Sequence, residues 1–329
     1  MIDIKNLKVN FESKVLDSNK VIILPHKVAD FDAIGSAIGL SLAVRKLDKN
    51  PVIIVDDKPG ELDRGVTAII KEAKEEFTII NKCKYLQEKE DNDLYVLTDV
   101  NKSERIALTE EVKSKNSMII DHHATGETTV KCKHKYIDTK SSSASEIITR
   151  LLLNMKIKIP SNVANYLLAG IYLDTNRFKT KVNKYTFKMA DKLTAFGANP
   201  NHVMDWFKED FDSERRVQEI INSNRPIVFK FSALTANNEE LVTQKELAQE
   251  LDNINAVADA DFAIGRISDD TIKISARSKE KVNVDLVMKE FGGGGSDTSA
   301  GVSIKGDDVE AVRKKLELVL RPKYYKKDI

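Results

Sequence analysis

The stretch "KVIILPHKVADFDAIGSAIGLSLAVRKL", residues 20–47, contains a short strand, a polar turn and a helix in direct succession. Its first part, "KVIILPH" (20–26), is rich in Val and Ile, which is typical of a strand buried on both faces of a sheet. Its last part, "DAIGSAIGLSLAVRKL" (32–47), places apolar residues at helical spacing. A buried strand followed by such a helix is the first half of a βαβ unit.

The same alternation continues through the first half of the chain. Three further stretches are predicted as buried parallel strands, namely "PVIIVDD" (51–57), "DLYVLTDV" (93–100) and "SMIIDHH" (117–123). Two longer helices are predicted in "SSASEIITRLLLNM" (142–155) and "SNVANYLLAGIYLDT" (161–175). The sequence therefore predicts an α/β fold built on a doubly wound, mainly parallel sheet.

The length and a change of pattern predict two domains. The chain has 329 residues, which is long for one compact domain. From about residue 225 strands such as "PIVFKFSALTA", "ADFAIGRIS" and "TIKISARS" alternate with the helices "TQKELAQELDNI", "VNVDLVMKEF" and "DDVEAVRKKLELVL". We expect a first domain over 1–195, a helical linker over 196–224, and a smaller α/β domain with a mixed sheet over 225–329.

The composition limits the classes of function. Lys and Arg number 52 against 51 Asp and Glu, so a net charge of +1 provides no long-range field for binding duplex nucleic acid. Cys83 and Cys132 match no metal or redox spacing and are interpreted as reduced thiols. The start lacks an apolar signal core, and the longest apolar run is too short to span a bilayer. We therefore expect a cytoplasmic protein with no membrane partner.

Acidic side chains and histidines follow the predicted strands at the points where these strands end. They are His26, Asp30 and Asp32 after the first strand, Asp99 after the third, and Asp121, His122 and His123 after the fourth. The carboxyl ends of parallel strands form one crevice, which is where ligands bind in open α/β sheets. The sequence therefore predicts that these groups meet at one edge of the sheet.

Such a mixture of side chains predicts a metal site. Carboxylates combined with imidazoles suit divalent ions such as Mn²⁺, and the lack of thiolates argues against structural zinc. Asp174, in "GIYLDTNRF", falls at a helix C-terminus, where a bound cation would offset an unfavourable negative charge. The candidate ligands are His26, Asp30, Asp32, Asp99, His122 and Asp174. Their four carboxylates balance two divalent ions, which favours a two-metal site.

Helix capping is the competing interpretation. Asp is common at strand ends because it caps the helix that follows, and for any single Asp this explanation is as good as metal binding. Capping does not require histidines, however, so it does not explain the combination of "HxxxDxD" with "DHH". His134 and His202 are interpreted as ordinary surface or core histidines.

The motifs "HKVADFDAIGS", "LTDV", "DHHATG" and "GIYLDTNRF", in this order and spacing, resemble those of the DHH phosphoesterases. The second half, with "ISARS", "VNVDLVMKEFGGGG" and "SAG", resembles the C-terminal DHH-associated domain. The resemblance covers nearly the whole chain. Within this superfamily the chain is similar to the nanoRNase and pAp-phosphatase branch (NrnA-like), which includes enzymes that degrade pApA.

The resemblance implies a role for each residue of the first domain. Two manganese ions would be bound, one by His26, Asp30 and Asp99, and the other by Asp32, His122, Asp174 and again Asp99 as the bridge. His123 would lie near the scissile phosphate, and Asp121 would orient the adjacent histidines. A hydroxide shared by the two metals would attack phosphorus.

For the second domain the resemblance implies substrate binding. Arg277 in "SARS" would hold a substrate phosphate with its guanidinium fork, beside Ser278. The run Gly293, Gly294, Gly295 and Ser296 is predicted to be a backbone cradle that turns successive N–H groups towards an anion. In the family a histidine usually follows these glycines, and Ser296 is a departure from that pattern.

We therefore expect a manganese-dependent phosphodiesterase that hydrolyses nanoRNA or pApA to mononucleotides, and pAp to AMP. A short substrate fits a chain with no basic stripe, and a homodimer is implied by resemblance. The departure at Ser296 motivates one alternative, a nucleotide-binding regulator without turnover. A cyclic di-AMP phosphodiesterase and a family II pyrophosphatase are further alternatives.

Overall fold

The computed structural model describes residues 3–56, 61–208, 211–228, 231–236, 238–244, 246–248, 251, 259–278 and 282–324. The chain divides into two compact units, Met1–Lys208 and Glu209–Ile329. The stretch 196–224, interpreted from sequence as a linker, supplies one helix to each unit. Within the described residues no helix combines the length and apolar character needed to cross a membrane.

Unit 1 is an α/β unit built on a parallel sheet. Its helices are α1 (Ile4–Leu16), α2 (Phe31–Arg45), α3 (Arg64–Ala73), α4 (Lys82–Glu88), α5 (Ala144–Asn154), α6 (Ser161–Asp174), α7 (Lys184–Ala195) and α8 (Pro200–Trp206). Its strands are β1 (Val21–Leu24), β2 (Pro51–Ile54), β3 (Ile79–Ile80), β4 (Leu94–Thr98), β5 (Ser117–Asp121) and β6 (His134–Ile137). The six strands are all parallel, in the order β3-β2-β1-β4-β5-β6.

The central strands β1, β4 and β5 are buried on both faces, as their apolar content predicts. Along β1, Val21 and Ile23 belong to one apolar cluster, whereas Ile22 and Leu24 belong to another. Because successive side chains of a strand point to opposite faces, the two clusters lie on opposite sides of the sheet. The predicted doubly wound α/β fold is confirmed.

Helix α2 is buried almost completely because glycines let α6 approach it closely. A Cβ atom at Gly35 would lie 2.4 Å from the carbonyl oxygen of Tyr166 on α6. A Cβ atom at Gly170 of α6 would lie 2.6 Å from Asp32 Oδ1 on α2. This close packing fixes the start of α2 and the end of α6 relative to each other, and both ends carry candidate metal ligands.

Unit 2 is a smaller α/β unit with a mixed sheet, as predicted. Its elements are α9 (Phe211–Asn222), β7 (Arg225–Val228), β8 (Phe231–Thr235), β9 (Ala260–Ser268), β10 (Thr271–Ser278), α10 (Val284–Lys289), β11 (Gly294–Gly295), β12 (Ser299–Lys305) and α11 (Val309–Tyr324). The strand order is β11-β12-β10-β9-β8-β7. Strands β8 and β9 pair in parallel, and the other neighbours pair antiparallel.

Two details of the sequence prediction differ from the structure. The stretch "PIVFKFSALTA", predicted as one strand, forms the antiparallel pair β7 and β8. Helices α1, α3, α4 and α7 and strands β3 and β6 were not predicted. Strand β3 has only two residues, and β6 is half-exposed with an exposed lysine. The helix predicted over 243–254 lies partly outside the described residues.

Candidate metal centre

The candidate site lies where the carboxyl ends of β1, β4 and β5 meet. Strands β1 and β4 are adjacent at the centre of the sheet, and the strand order reverses between them. Such a switch point leaves a crevice between the connections that leave in opposite directions. The sheet topology therefore brings together the polar residues that follow these three strands.

One group consists of His26, Asp30 and Asp99, whose potential ligand atoms all lie within 4.8 Å of one another. His26 Nε2 lies 3.4 Å from Asp30 Oδ2 and 3.5 Å from Asp99 Oδ2. The other ring nitrogen, Nδ1, donates to the carbonyl oxygen of Lys27 at 2.8 Å, since a carbonyl can only accept. The lone pair of neutral His26 is therefore on Nε2, which faces the carboxylates.

Asp30 caps a helix and faces the site at the same time. Its Oδ1 accepts from the backbone N–H groups of Asp32 and Ala33 at 2.9 and 3.0 Å, which makes it the N-cap of α2. Its Oδ2 is the oxygen near His26. Capping and metal binding, which the sequence interpretation treated as alternatives, thus use different oxygens of one carboxylate.

A second group consists of Asp32, His122 and Asp174. His122 Nε2 lies 3.0 Å from Asp174 Oδ2 and 3.8 Å from Asp32 Oδ2. Asp32 is fully buried, and its two oxygens accept from the N–H groups of Ala144 and Ser145 at the start of α5. These bonds, together with the positive end of the α5 dipole, hold the Asp32 carboxylate in one orientation.

Asp99 contacts both groups. Its Oδ2 faces His26, whereas its Oδ1 lies 3.2 Å from His122 Nε2 and 3.4 Å from His123 Nδ1. Its backbone has φ +57°, a left-handed conformation that is uncommon for residues other than glycine. This conformation turns the chain at the end of β4 and places the carboxylate between the two groups.

Two atoms at the centre of the cluster provide a test of whether a metal fits. Asp99 Oδ1 and His122 Nε2 are both buried and lie 3.2 Å apart, but neither atom makes a hydrogen bond of good geometry among the described residues. Buried polar atoms are almost always hydrogen-bonded, so such a pair calls for an explanation. A cation between them would satisfy the oxygen and the nitrogen together, and carboxylate and imidazole are suitable donors for a divalent ion. The residues present fit the predicted metal.

The metal-free cluster has perturbed proton affinities. Burial and the nearby charge of Asp174 raise the pKa of Asp32 to about 6. Burial and Asp32 raise the pKa of Asp99 well above its usual value. Burial lowers the pKa of His122, but the carboxylates of Asp174 and Asp99 outweigh it and raise this pKa to about 11. Without a cation, the cluster therefore retains protons.

Asp121 hydrogen-bonds to both histidines, an arrangement compatible with the orienting role that stays a prediction for it. Its Oδ1 accepts from the backbone N–H of His122 at 2.7 Å and from His123 Nδ1 at 2.9 Å. Its Oδ2 accepts from Asn101 Nδ2 at 2.6 Å. The same amide of Asn101 donates to the carbonyl oxygen of His123 at 3.1 Å. Asp121 and Asn101 thus fix both ends of the "DHH" turn.

Asn101 is the residue that the sequence interpretation missed. It is 2% exposed and lies two positions after Asp99, in "TDVN". A buried amide immediately after a strand-end carboxylate was the available signal. Its side-chain amide hydrogen-bonds to the Asp121 carboxylate and to the backbone of His123, so we assign it a positioning role.

The variant Asn101→Ala should weaken Mn²⁺ binding and lower kcat/KM by about 10- to 100-fold each, because partners that orient ligands typically contribute this much. Calorimetric titration of Mn²⁺ measures the first effect, and hydrolysis rates measure the second. Asn10→Ala, on α1, is the control and should change neither value. Unchanged metal affinity in Asn101→Ala would show that this amide does not position the histidines.

The residues predicted in the second domain lie together in unit 2, on and beside β10 and β11. Arg277 is half-buried on β10, and its Nη1 donates to the carbonyl oxygen of Ala276. The hydroxyl of Ser278 is buried and donates to the carbonyl oxygen of Val282. Ser278 is therefore engaged within unit 2, whereas Arg277 keeps its predicted role as a proposal.

The glycine run has a structural explanation. Gly294 and Gly295 form β11 against β12, where a Cβ at Gly295 would lie 2.3 Å from the carbonyl oxygen of Ser299. A Cβ at Gly293 would lie 2.4 Å from the carbonyl oxygen of Gly301. The glycines are thus needed for close approach of the two strands.

The prediction that the glycine run forms a backbone cradle for an anion has to be corrected. The N–H of Gly293 donates to Met288, that of Gly295 to the carboxylate of Asp285, and that of Ser296 to Ser299. These groups are already satisfied within unit 2, so they do not form a free row of donors for an anion. Substrate contact by Gly293, Gly294, Gly295 and Ser296 stays a prediction without that support.

Comparison with known proteins places these features in a family. The DHH family, N-terminal domain, matches residues 20–171, and the DHHA1 domain matches residues 229–321. The cyclic-di-AMP phosphodiesterase GdpP of Bacillus subtilis (strain 168) is 32% identical over 317 residues, which are 92% of this chain and 48% of GdpP. The chain spans less than half the length of the first curated relatives that it matches.

Solved structures share the fold at low identity. An exopolyphosphatase-related protein from Bacteroides fragilis has a TM-score of 0.79 at 19% identity, covering 98% of both chains. The exonuclease RecJ bound to manganese has a TM-score of 0.53 at 12% identity, covering 99% of this chain and 95% of RecJ. With both domains matched in order, the chain belongs to the DHH family, with an N-terminal DHH domain and a C-terminal DHHA1 domain.

Proposed function

We propose that this chain is a metal-dependent phosphoric ester hydrolase that cleaves very short oligonucleotides such as pApA or nanoRNA, and pAp, to mononucleotides. The observation that carries the proposal is the buried pair of Asp99 Oδ1 and His122 Nε2, which lie 3.2 Å apart but form no hydrogen bond of good geometry among the described residues. They lie at the strand ends where open α/β sheets bind ligands.

The group of His26, Asp30 and Asp99 would hold one ion and the group of Asp32, His122 and Asp174 the other, with Asp99 also facing the second group through His122. The mixed carboxylate and imidazole ligands support Mn²⁺ as the metal. Bound there, the ions would supply a water nucleophile of lowered pKa and stabilise the charge that develops on the phosphoryl oxygens. The hydrogen bonds to Asp30, Asp32 and His26 hold these ligands in place before any ion binds.

His123 is the chain's candidate for proton transfer. Its side chain is 46% exposed, unlike that of His122, so a substrate can reach it. The Asp121 carboxylate accepts a hydrogen bond from His123 Nδ1–H, so Nε2 carries the lone pair of the neutral ring and could exchange a proton with a leaving oxygen. Its proximity to Asp99 keeps this ring beside the place where the scissile phosphate would bind.

The substrate is the finer part of the proposal. A relative that is 32% identical is named for its action on cyclic di-AMP, which supports a dinucleotide as the substrate class and keeps cyclic di-AMP as an alternative. The near-zero net charge supports a substrate with few phosphates rather than a long strand. Pyrophosphate and nucleotide binding without turnover are the other outcomes of the test. A homodimer stays a prediction.

The test is hydrolysis by the purified protein with Mn²⁺ and, separately, pApA, pAp, cyclic di-AMP, pyrophosphate and a long single strand, with release of AMP or phosphate as the readout. We expect turnover of pApA that is abolished by EDTA and restored by Mn²⁺. Turnover of pyrophosphate alone would favour a pyrophosphatase. Tight nucleotide binding with no turnover of any substrate would overturn the proposal in favour of a regulator.

A further inference from the structure

A cavity of about 210 Å³ opens beside the metal cluster. It is lined by Asp99, Val100, Asn101, Lys102, Arg105, His123 and Ala124. Asp99 and His123 belong to the metal cluster, whereas Lys102 and Arg105 are exposed basic residues that have no role in the site described so far. One cavity thus joins the proposed reaction centre to two positive charges.

Among the described residues, neither positive charge is paired in a salt bridge, although Lys102 and Glu104 attract each other. Over the part of the chain that the structure describes, no carboxylate lies within ion-pair distance of Lys102 Nζ or of the Arg105 guanidinium. The nearest acidic residue in sequence, Glu104, directs its carboxylate to the hydroxyls of Thr128 and Ser103 instead. Both cations therefore remain available for an anion from solution.

The backbone that carries them is held firmly beside the metal cluster. Lys102 forms a β-bridge with Thr129, and the N–H of Ser103 donates to the carbonyl oxygen of Thr128. The carbonyl oxygen of Arg105 accepts from the N–H of Lys27 at 2.7 Å, and Lys27 adjoins the candidate ligand His26. Such preorganisation reduces the entropy lost when an anion is bound.

We propose that Lys102 and Arg105 form a subsite for a second substrate phosphate, distinct from the one that is cleaved; this inference rests on the proposed function. The four candidate carboxylate ligands already balance two divalent ions, so the metals carry no excess charge for another phosphate. A guanidinium offers a bidentate fork to phosphate, and a lysine adds a point charge. The substrates favoured by this subsite carry two phosphate groups separated by a nucleoside, as pApA does and ApA does not.

The experiment compares pApA with ApA, which lacks the terminal phosphate, on wild type, Arg105→Ala, Lys102→Ala and the conservative Arg105→Lys. Arg105→Ala should lower kcat/KM for pApA by about 30-fold, which is the usual effect of losing a hydrogen bond to a charged group. The same variant should change kcat/KM for ApA by less than about threefold. Arg105→Lys should recover part of the loss. Lys131→Ala, an exposed lysine outside the cavity, is the matched control and should leave both substrates unchanged. Equal losses on both substrates in Arg105→Ala would overturn the subsite.

A binding measurement separates this inference from the proposed function. Calorimetry with Ca²⁺ in place of Mn²⁺ compares the affinity for pApA and ApA. Wild type should bind pApA more tightly than ApA. Arg105→Ala should bind pApA about 30-fold more weakly than wild type does, with no change in its affinity for ApA. If wild type hydrolyses neither substrate but shows this pattern, the hydrolase is wrong and the subsite stands. If wild type binds pApA no more tightly than ApA, the subsite is wrong whatever the turnover.

Discussion

Replacing Asp99 by asparagine should lower kcat for pApA at least about a thousandfold, which corresponds to roughly 4 kcal/mol of activation free energy. Asp99 is the one candidate ligand whose carboxylate faces both groups, with Oδ2 towards His26 and Oδ1 towards His122. Removing its charge would weaken both proposed ion positions at once. The loss should therefore exceed that of any ligand that belongs to one group only.

Asparagine is the appropriate substitution because Asp99 has φ +57°. Asn tolerates this conformation better than Ala, so Asp99→Asn separates loss of the ligand from backbone strain. Asp99→Ala should lose activity as well, with an added loss of stability. Activity of Asp99→Asn within tenfold of wild type would contradict a bridging role.

The stability of Asp99→Asn distinguishes loss of a metal ligand from general damage to the fold. Burial and Asp32 raise the pKa of Asp99, so the ionised carboxylate is unfavourable in the metal-free protein. Without metal, Asp99→Asn should therefore be at least as stable as wild type near pH 8. With Mn²⁺ the order should reverse, because only wild type gains the full free energy of metal binding.

The sequence predicts the sheet well because β1, β4 and β5 are apolar runs that end in polar residues. Buried on both faces, such strands leave a continuous Val and Ile pattern, and parallel pairing follows from the helices between them. The edge strand β6 leaves no such pattern, since "HKYI" is only half-buried. The burial of a strand, rather than its β propensity, decides whether the strand can be predicted from the sequence.

The separate roles of the two oxygens of one carboxylate could not be predicted from the sequence. Sequence spacing indicates that Asp30 either caps α2 or binds metal, and only the structure shows one oxygen in each role. Likewise, the glycine run predicts free N–H donors, but the partner of the Gly295 N–H is the carboxylate of Asp285, ten residues earlier. Hydrogen-bond partners set by tertiary packing leave no periodic trace in the sequence.

The pH dependence of stability should have opposite signs in the metal-free and the metal-loaded protein. Without metal, the free energy of unfolding of unit 1 should fall by about 2 kcal/mol between pH 6 and pH 8. With saturating Mn²⁺ it should rise over the same range. A pH dependence that changes sign when Mn²⁺ binds is expected of a site whose ligands hold protons when no cation is present.

For the metal-free protein the sign follows from the histidine. The pKa of His122 is raised to about 11, against an ordinary value of 6.5, because the carboxylates of Asp174 and Asp99 outweigh burial. The folded state keeps this proton at pH 8 while the unfolded state releases it, so the stabilisation is complete below pH 6.5 and is lost as the pH rises. Asp32, with a pKa raised to about 6, acts in the same direction at lower pH.

For the metal-loaded protein the sign is opposite because protons and metal ions compete. The ligands must be deprotonated to bind, so a higher pH strengthens Mn²⁺ binding and the stabilisation that it brings. The chain's single tryptophan, Trp206 on α8, lies in unit 1, so its fluorescence in urea reports unfolding of the unit that contains the site. Following it also avoids treating a protein of two units as one two-state system.

The variant His122→Gln tests whether the change in sign of the pH dependence arises at the metal cluster. It should flatten the metal-free dependence between pH 6 and pH 8, because the retained proton is gone, and it should weaken the stabilisation by Mn²⁺. His202→Gln, whose ring lies 4.7 Å from that of Trp206 on α8, is the control for changes in fluorescence and should keep both slopes. Slopes of the same sign with and without Mn²⁺ in wild type would mean that the cluster does not exchange protons for metal. The buried Asp99 and His122 pair would then need an explanation other than a cation.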